Sequence, residues 1–247
     1  MPASRTAIVT GAGKRVGAAN AVALVERGWT VLAHVHDAGD SVPAGAVKVV
    51  ADLQAVDCAR AIFDAAAQLP PVRLLINNAA RFAFDSIDAF STDEFDAHMA
   101  VNVRAPILLT AAFAKAVRAE SDRTDALIVN LLDSKLSAPN PDFLSYTLAK
   151  QALAGFTELA ARALAEDGIR VNGIAPALML PSGEQSDANF KAMHRANPLR
   201  RGVEPHDVVA AIDYLLAAPA VTGEVLTIDA GQRFLGLPRD VQFLESE

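Results

Sequence analysis

The stretch T-A-I-V-T-G-A-G-K-R-V-G, from Thr6 to Gly17, decides the fold of this chain. Its first five residues are a short run, mostly β-branched, of the kind that forms a fully buried parallel strand. Three glycines then interrupt the run, and a helical pattern follows as far as Gly28, a residue type that commonly ends a helix. A second strand-like run, W-T-V-L-A-H-V, occupies Trp29–Val35. This order of strand, glycine turn, helix and strand is that of a βαβ unit.

The same alternation continues along the rest of the chain. Further strands are predicted at Val47–Ala51, Val72–Ile76, Ala126–Leu132, Ile169–Ile174 and Glu224–Ile228. Further helices are predicted at Val56–Leu69, Ser91–Ala119, Phe143–Glu166 and Pro205–Ala217, and the Ser91/Glu94 pair is a capping-box signature. We therefore predict an α/β protein, a single-domain Rossmann fold over residues 1–247, with a doubly wound parallel seven-stranded sheet and helices on both faces. A Pro- and Gly-punctuated segment at about 178–202 is predicted to be a substrate lid.

Composition limits the classes of function. The chain has 247 residues, of which 52% are hydrophobic and 21% charged, and its net charge is −7. This acidic balance argues against a nucleic-acid or anionic-membrane surface. The single cysteine excludes an intrachain disulfide framework. No signal-peptide pattern and no apolar run of membrane-spanning length is apparent, so we expect a soluble, cytoplasmic protein.

The glycine turn favours dinucleotide binding. Val16 stands where the plain G-x-G-x-x-G pattern has its third glycine, yet the spacing still gives a tight turn and a helix N-terminus for a phosphate. Lys14 and Arg15 add cations suited to the 2′-phosphate of NADP. A merely structural turn is the alternative. The glycine turn follows the first strand of a βαβ unit, and this position favours the dinucleotide-binding role.

The end of the second strand gives a conflicting signal. An acidic residue about 20 positions after the glycines usually accepts from the adenosine ribose and disfavours NADP, and Asp37 stands there. We favour NADPH because of the two cations in the turn, with NADH possible because of Asp37. His34 and His36 alternate onto one strand face, but nothing nearby completes a metal-ligand set, so no metal is predicted.

Tyr146 and Lys150 are four residues apart and share a helical face. A neighbouring ammonium favours the ionised phenol, so we expect Lys150 to lower the pKa of Tyr146 and tune it as a proton donor. A Tyr four residues before a Lys is also common on ordinary helix surfaces. The pair gains meaning from the motifs around it.

Six motifs stand in one order and spacing: T-G-A-G-K-R-V-G, A-D-L at 51–53, N-N-A at 77–79, N-V-R-A-P at 102–106, Y-T-L-A-K at 146–150 and R-V-N-G-I-A-P at 170–176. Together they resemble the short-chain dehydrogenase/reductase superfamily across nearly the whole chain. The resemblance implies an NAD(P)(H)-dependent oxidoreductase with Tyr146 as acid/base, Lys150 on the nicotinamide ribose, Asn102 supporting a proton-relay water and Asp52 on the adenine. The glycine turn, the end of the second strand and this resemblance together give a predicted cofactor-binding set of Gly11, Lys14, Arg15, Val16, His34, His36, Asp37, Asp52, Leu53, Asn78, Ala79, Tyr146, Lys150 and Pro176.

Two departures from the common pattern and one aromatic residue are similar to the pteridine reductase branch of that superfamily. Arg15 stands where most members have Gly, and Asp133 replaces the Ser that usually lies thirteen residues before the catalytic Tyr. Phe82 follows N-N-A, where that branch has an aromatic residue that stacks on the pterin. The implied substrates are dihydropterins and folate-like molecules, contacted by Arg15, Phe82, Asp133 and Tyr146.

The Ser-to-Asp change suits the reduction of a pterin C=N bond. Such a bond needs a proton at a ring nitrogen, and the ring carries guanidine-like N–H donors. A carboxyl group at Asp133 can accept from those donors or, when protonated, supply a proton. A strand-end turn residue is the plainer interpretation of Asp133, because Asp is common in turns.

Two other functions are also compatible with the sequence. One is a generic carbonyl or 3-oxoacyl reductase, and the other is a non-catalytic dinucleotide-binding sensor that kept the fold. The intact Asn102, Tyr146 and Lys150 argue against a sensor, which has no need of a proton relay. The resemblance also implies a homotetramer or homodimer, formed by the two long helices, that acts on a small molecule.

Overall fold

A computed structural model describes residues 4–121, 126–181 and 185–244. Seven strands form one parallel sheet in the order β3-β2-β1-β4-β5-β6-β7. Their bounds are β1 Thr6–Val9, β2 Thr30–Val35, β3 Val47–Val50, β4 Val72–Asn77, β5 Ala126–Leu131, β6 Ile169–Pro176 and β7 Val225–Ile228. The order reverses between β1 and β4, and such a reversal in a doubly wound sheet opens a crevice at the carboxyl ends of the strands. The predicted sheet is confirmed.

Helices cover both faces of the sheet. They are α1 Arg15–Glu26, α2 Cys58–Ala66, α3 Thr92–Met99, α4 Ala105–Ala119, α5 Leu144–Leu164, α6 Asp187–Ala196 and α7 Pro205–Ala217. One apolar cluster joins α2, α4 and α5 to the sheet, with Phe113 of α4 fully buried in it. A second cluster joins α1 and α7 to the opposite face. The strands between them are apolar on both sides, which is why they appear as continuous hydrophobic runs rather than alternating patterns.

Two helical features differ from the sequence prediction. The helix α6 lies in the segment at 178–202, where the periodicity was too weak to predict it. The predicted Ser91–Ala119 helix is divided, because a π-helical turn at Ala100–Arg104 joins α3 to α4. Single π-helical turns inside α-helices often mark functional sites.

The predicted capping box at the start of α3 is only half formed. The Ser91 hydroxyl accepts from the backbone N–H of Glu94 at 3.4 Å, as expected. The Glu94 carboxylate binds the guanidinium of Arg81 instead of the Ser91 N–H, with its shortest contact at 2.6 Å. A two-pronged pair between a guanidinium and a carboxylate is stronger than a single carboxylate–backbone N–H bond, so the ion pair displaces the second half of the box.

One helical stretch in the described residues, Thr92–Ala119, is long and apolar enough by composition to cross a membrane. In its most apolar window, 56% of the residues are buried inside the fold. Leu109, Phe113 and Val117 belong to the core cluster beside the sheet. The stretch therefore has the burial of a core helix.

Candidate active site

A cleft of about 660 Å³ runs across the carboxyl ends of the strands. Its walls come from the segments that follow β1, β2, β4, β5 and β6, together with the start of α5 and a C-terminal segment at 232–241. Residues far apart in sequence therefore meet at one place, as expected for a parallel sheet.

The glycine turn forms one end of the cleft and leaves room for a phosphate. Gly11 has a positive φ of 65°, and a Cβ on Gly17 would lie 2.1 Å from the Gly11 carbonyl oxygen, so neither position accepts a side chain. Lys14, the N-cap of α1, makes no side-chain cap, so the first backbone N–H groups of the helix have no such partner. A tight turn with a helix N-terminus beside it fits a dinucleotide pyrophosphate.

Arg15 occupies an unusual backbone conformation. Its φ of 53° lies in the left-handed region, which non-glycine residues seldom adopt and which explains why glycine suits this position. Its guanidinium crosses the cleft and donates to the Pro181 carbonyl oxygen at 3.1 Å. Arg15 thus connects the phosphate turn to the segment after β6.

The three residues predicted at the end of β2 have three different environments. His34 is buried, with Nδ1 accepting from the Gly11 N–H at 3.2 Å and Nε2 bonded to the Ala51 carbonyl at 3.0 Å. Burial lowers the pKa of His34, and only the Ala51 contact opposes that change. His36 lines the cleft, with Nδ1 3.9 Å from the Asp52 carboxylate. Asp37 is exposed and does not line the cleft, because it lies beyond the strand tip; Asp40 lines it instead.

Asp133, Tyr146 and Lys150 lie together at the end of β5. The Tyr146 hydroxyl donates to Oδ2 of Asp133 at 2.9 Å, and Oδ1 of Asp133 accepts from the Lys135 N–H at 2.8 Å. The Lys150 ammonium donates to the Leu131 carbonyl oxygen at 2.6 Å and lies 5.6 Å from the centre of the Tyr146 ring.

Burial controls the protonation of these three groups. Burial raises the pKa of Asp133, although hydrogen bonds from the Lys135 N–H and from Tyr146 oppose it. Burial, followed by the charge and the hydrogen bond of Asp133, raises the pKa of Tyr146 well above its ordinary value. Burial lowers the pKa of Lys150 to about 8. The expectation that Lys150 lowers the pKa of Tyr146 is wrong for this structure, because burial and Asp133 dominate.

The aromatic residue predicted to stack on the substrate lies beside Tyr146. The Phe82 ring stacks on Phe143 at 4.2 Å and meets Tyr146 edge-on at 4.7 Å. It lines the cleft and is 41% exposed, so part of the ring is available to a ligand. Phe143 itself has a positive φ of 57°.

The start of α5 is held by a residue that the sequence prediction missed. Asp85, buried in the loop after β4, accepts from the Ser145 N–H at 3.0 Å and from the Ser145 hydroxyl. Phe143, the N-cap residue of α5, makes no side-chain hydrogen bond to the helix, and the Asp85 carboxylate caps the helix instead. The position of Tyr146 therefore depends on this loop.

Asn102 does not line the cleft. Its side chain is buried, accepting from the Arg81 N–H at 2.8 Å and donating to the Arg81 carbonyl at 2.9 Å. The amide fixes the loop after β4, and its predicted part in a proton relay stays a prediction. The π-helical turn surrounds Asn102 and aims it at that loop.

The other predicted site residues all meet at the cleft. They are Gly11, Lys14, Arg15, Val16, His34, His36, Asp52, Leu53, Asn78, Ala79, Phe82, Asp133, Tyr146, Lys150 and Pro176. In the predicted lid, Leu178, Met179 and Leu180 also line it. Part of the predicted lid, residues 182–184, lies outside the described residues.

The C-terminal segment closes the end of the cleft next to Asp133. Nζ of Lys135 lies 2.9 Å from the Asp240 carboxylate, and both side chains are largely buried. Asp142 is 3% exposed and accepts from the Arg239 guanidinium at 2.8 Å and from the Asp240 N–H at 2.8 Å. We call these four residues the C-terminal latch. The latch holds the segment against its own chain's cleft.

A parallel sheet in this order, a glycine turn at its switch point and a Tyr–Lys pair at the same cleft define a dinucleotide-dependent enzyme class. A family model described as Enoyl-(Acyl carrier protein) reductase matches residues 11–233. Pteridine reductase 1 of Leishmania tarentolae is 30% identical, covering 93% of this chain and 96% of that protein. Dihydromonapterin reductase of Escherichia coli O6:K15:H31 is 27% identical, covering 91% and 95%.

A solved structure is similar as well. FolM Alternative dihydrofolate reductase 1 from Brucella canis, complexed with NADP, is 32% identical, with a TM-score of 0.83 over 94% of each chain. The chain belongs to the short-chain dehydrogenase/reductase superfamily, as its motifs predicted. It is an NAD(P)H-dependent oxidoreductase.

Proposed function

We propose that this protein is an NADPH-dependent reductase of dihydropterins. The single observation that carries the proposal is the 2.9 Å hydrogen bond from Tyr146 to Asp133 at the end of the cleft. A ketone reductase needs a hydroxyl beside the tyrosine to hold a carbonyl oxygen. A half-buried carboxyl group that lines the cleft instead suits a ring with several N–H donors.

The two residues divide the chemistry between them. The high pKa of Tyr146 keeps its phenol protonated at neutral pH, so the proton is present for transfer to a ring nitrogen. The Asp133 carboxyl group accepts a hydrogen bond from the Tyr146 hydroxyl, which orients the phenol. Its oxygens also serve as acceptors for the N–H groups of the bound ring. The cofactor, when bound, supplies hydride.

Lys150 has a separate place in this proposal. Its ammonium is tied to the Leu131 carbonyl and is buried beneath Tyr146, so its position is fixed. We assign it to the nicotinamide ribose, as the family resemblance implies. Its charge also opposes the burial that raises the pKa of Asp133.

The residues at the adenosine end of the cleft and the similar solved structures support NADPH as the cofactor. Lys14 and His36 line the adenosine end of the cleft, whereas Asp37, the one residue that argued for NADH, does not. The structures similar to this chain from Brucella canis and Brucella suis were both solved with NADP. Asp40 and Asp52 are acidic groups at the same end, and assays with NADPH and with NADH measure the preference between the two cofactors.

We also propose a homotetramer or homodimer built on α4 and α5. Leu159 is 67% exposed on α5, and Leu148 is 43% exposed on the same helix. Ile107 on α4 is 39% exposed. Leu148 and Leu159 are about three helical turns apart and so share one face of α5, and a shared exposed apolar face favours association. Sedimentation equilibrium tests this, and a monomer at every concentration would contradict it.

The function is tested by steady-state assays with dihydrobiopterin, dihydromonapterin and dihydrofolate, each against NADPH and NADH. Turnover of at least one dihydropterin with NADPH supports the proposal. Turnover of ketones alone, improved in D133S, supports a carbonyl reductase instead. NADPH binding without any turnover supports a sensor.

A further inference from the structure

Three side chains at four-residue spacing reach one short loop. Glu94 and His98 belong to α3, and Asn102 belongs to the π-helical turn that follows it. All three contact residues 81–83, which follow β4 and carry Phe82 in their centre. Residues at four-residue spacing lie on one helical face, so the helix presents a continuous row to this loop.

Arg81, on one side of Phe82, is held by its side chain and by its backbone. Its guanidinium makes a two-pronged contact with Glu94, with Nε at 2.9 Å from Oε2 and Nη2 at 2.6 Å from Oε1. The Asn102 amide takes both the N–H and the carbonyl oxygen of Arg81. Paired contacts of this kind fix orientation as well as distance.

Ala83, on the other side of Phe82, is held by His98. The ring is fully buried, its Nε2 accepts from the Ala83 N–H at 3.2 Å, and its Nδ1 lies 2.8 Å from the Glu94 carbonyl oxygen. An N–H donor at Nε2 places the ring proton on Nδ1, where it donates to that carbonyl. The ring thus connects the helix backbone to the loop backbone.

We propose that His98 is a positioning residue that acts through Ala83 to set the Phe82 ring against Tyr146. The backbone is fixed immediately before and after Phe82, so the ring keeps its stacked contact with Phe143 and its edge contact with Tyr146. The His98 ring lies 6.4 Å from the Tyr146 ring and meets no reacting atom. The inference rests on the proposed function, because it takes Phe82 as a substrate contact.

The kinetic test uses a double-mutant cycle on the full-length enzyme. H98L fills the space but leaves the Ala83 N–H without its acceptor, whereas H98Q offers an amide oxygen in its place. We expect H98L to lower kcat/KM for the dihydropterin about tenfold, with KM for NADPH unchanged and most of the loss recovered in H98Q. In an F82L background the same H98L change should cost less than about twofold, because interacting sites are not additive. Equal losses in both backgrounds would overturn the proposal.

A second measurement does not depend on pterin turnover. In protein labelled with 4-fluorophenylalanine, the Phe82 fluorine signal is assigned by its loss in F82L. We expect this signal to shift and broaden in H98L and to return in H98Q, while the signal of the core residue Phe113 stays unchanged. An unchanged Phe82 signal in H98L would overturn the inference. Failure of all dihydropterins in the wild-type assay would instead reject the proposed function alone, since the fluorine result still decides the role of His98.

Discussion

The hydroxyl of Tyr146 donates a 2.9 Å hydrogen bond to Oδ2 of Asp133, a residue thirteen positions earlier at the end of β5. The two groups influence each other's protonation in opposite directions. The Tyr146 hydroxyl lowers the pKa of Asp133, and the Asp133 charge raises the pKa of Tyr146. Burial raises both values and is the largest cause in each case. The pair therefore keeps a proton on the phenol, which is what a proton donor requires.

Replacing Asp133 by Asn should separate activity from stability. The amide keeps the shape and can still hydrogen-bond to Lys135 and Tyr146, but it removes a charge that burial disfavours. We expect kcat for a dihydropterin to fall about 100-fold, the scale of a lost acid/base partner. We expect the free energy of unfolding at neutral pH to rise by about 1 kcal/mol, as found for other strained functional sites. Chemical denaturation and steady-state kinetics measure the two effects.

The pH dependence of that stability difference has a definite sign. The pKa of Asp133 is higher in the folded protein than its ordinary value of 3.8, so the folded state holds the proton more tightly. The contribution of Asp133 to the free energy of unfolding is complete below pH 3.8 and is lost as pH rises through the pKa that Asp133 has in the folded protein. The free energy of unfolding of D133N should therefore rise relative to that of the wild type as pH increases from acid to neutral. A constant difference across that interval would contradict a raised pKa.

Lys150 should impose an alkaline limit on the free enzyme. Its pKa of about 8 means that the ammonium loses its proton above that pH, well below its ordinary value of 10.5. Because kcat/KM reports on free-enzyme groups, its value for NADPH should decline above about pH 8. The guanidinium in K150R does not titrate in this range, so whatever activity remains should lack that decline. A wild-type profile that stays flat to pH 10 would reject this assignment.

Burial of Lys150 also has a consequence for stability. The pKa of Lys150 is lower in the folded protein than in the unfolded chain, where it is 10.5. Its contribution to the free energy of unfolding is therefore complete above pH 10.5 and is lost as pH falls through about 8. The wild type should therefore lose stability relative to K150M as pH decreases across that window. Thermal unfolding of both proteins at a series of pH values measures the difference.

Shortening Phe82 should weaken the binding of the substrate and spare the cofactor. The ring lines the cleft and lies edge-on to Tyr146. Loss of an aromatic stack is worth about 0.5–1.5 kcal/mol, so F82L should raise KM for the dihydropterin up to about tenfold. F90L is a matched control, because Phe90 is 50% exposed in the same loop, packs on Phe95 and does not line the cleft. Equal effects of the two changes would argue against a stacking role.

The C-terminal latch should control access to the end of the cleft next to Asp133. In D142N, the ion pair between the buried Asp142 and the exposed Arg239 is lost, and the segment at 237–244 should exchange its amide hydrogens faster. KM for the dihydropterin should rise while KM for NADPH stays the same. E158Q is the control, because it removes the exposed Glu158–Arg162 pair on α5, where little stability is expected. Unchanged hydrogen exchange in D142N would show that the latch does not hold the segment.

Acid should loosen the same latch. Burial raises the pKa of Asp142, but the Arg239 guanidinium and the Asp240 N–H outweigh it and leave the value below 3.8. Its stabilisation is therefore complete above 3.8 and is lost as pH falls through the folded value. The amide hydrogens of the segment at 237–244 should therefore exchange as fast in the wild type as in D142N only at strongly acid pH.

Local sequence patterns were enough to predict the sheet and most of the cleft. Each strand is a buried apolar run, and the turn residues that end the strands follow directly in sequence. Parallel order then brings Gly11, Asp133 and Pro176 to one edge without any knowledge of packing. The pairing of Asp133 with Tyr146, which lies on a helix, was instead implied by the family resemblance.

Long-range contacts were out of reach of that reasoning. Nothing local links Lys135 to Asp240, which lies more than a hundred positions later, or tells that Glu94 will choose Arg81 over its own N-cap. The direction of the Tyr146 pKa shift was missed because it depends on burial, which only the folded structure gives. Asp37 was predicted from its spacing alone, and a turn of backbone at the strand tip carries it out of the cleft.

Transfer of a labelled hydride tests the central claim most directly. The wild-type enzyme is mixed with a dihydropterin and NADPH that carries deuterium at the transferred position of the nicotinamide ring, and the pterin product is analysed by mass spectrometry. We expect a tetrahydropterin that has gained a single deuterium, formed rapidly by the wild type and far more slowly by D133N. Absence of labelled tetrahydropterin, from an enzyme shown to bind NADPH and to reduce ketones, would contradict the assignment of Asp133 and Tyr146 to pterin chemistry.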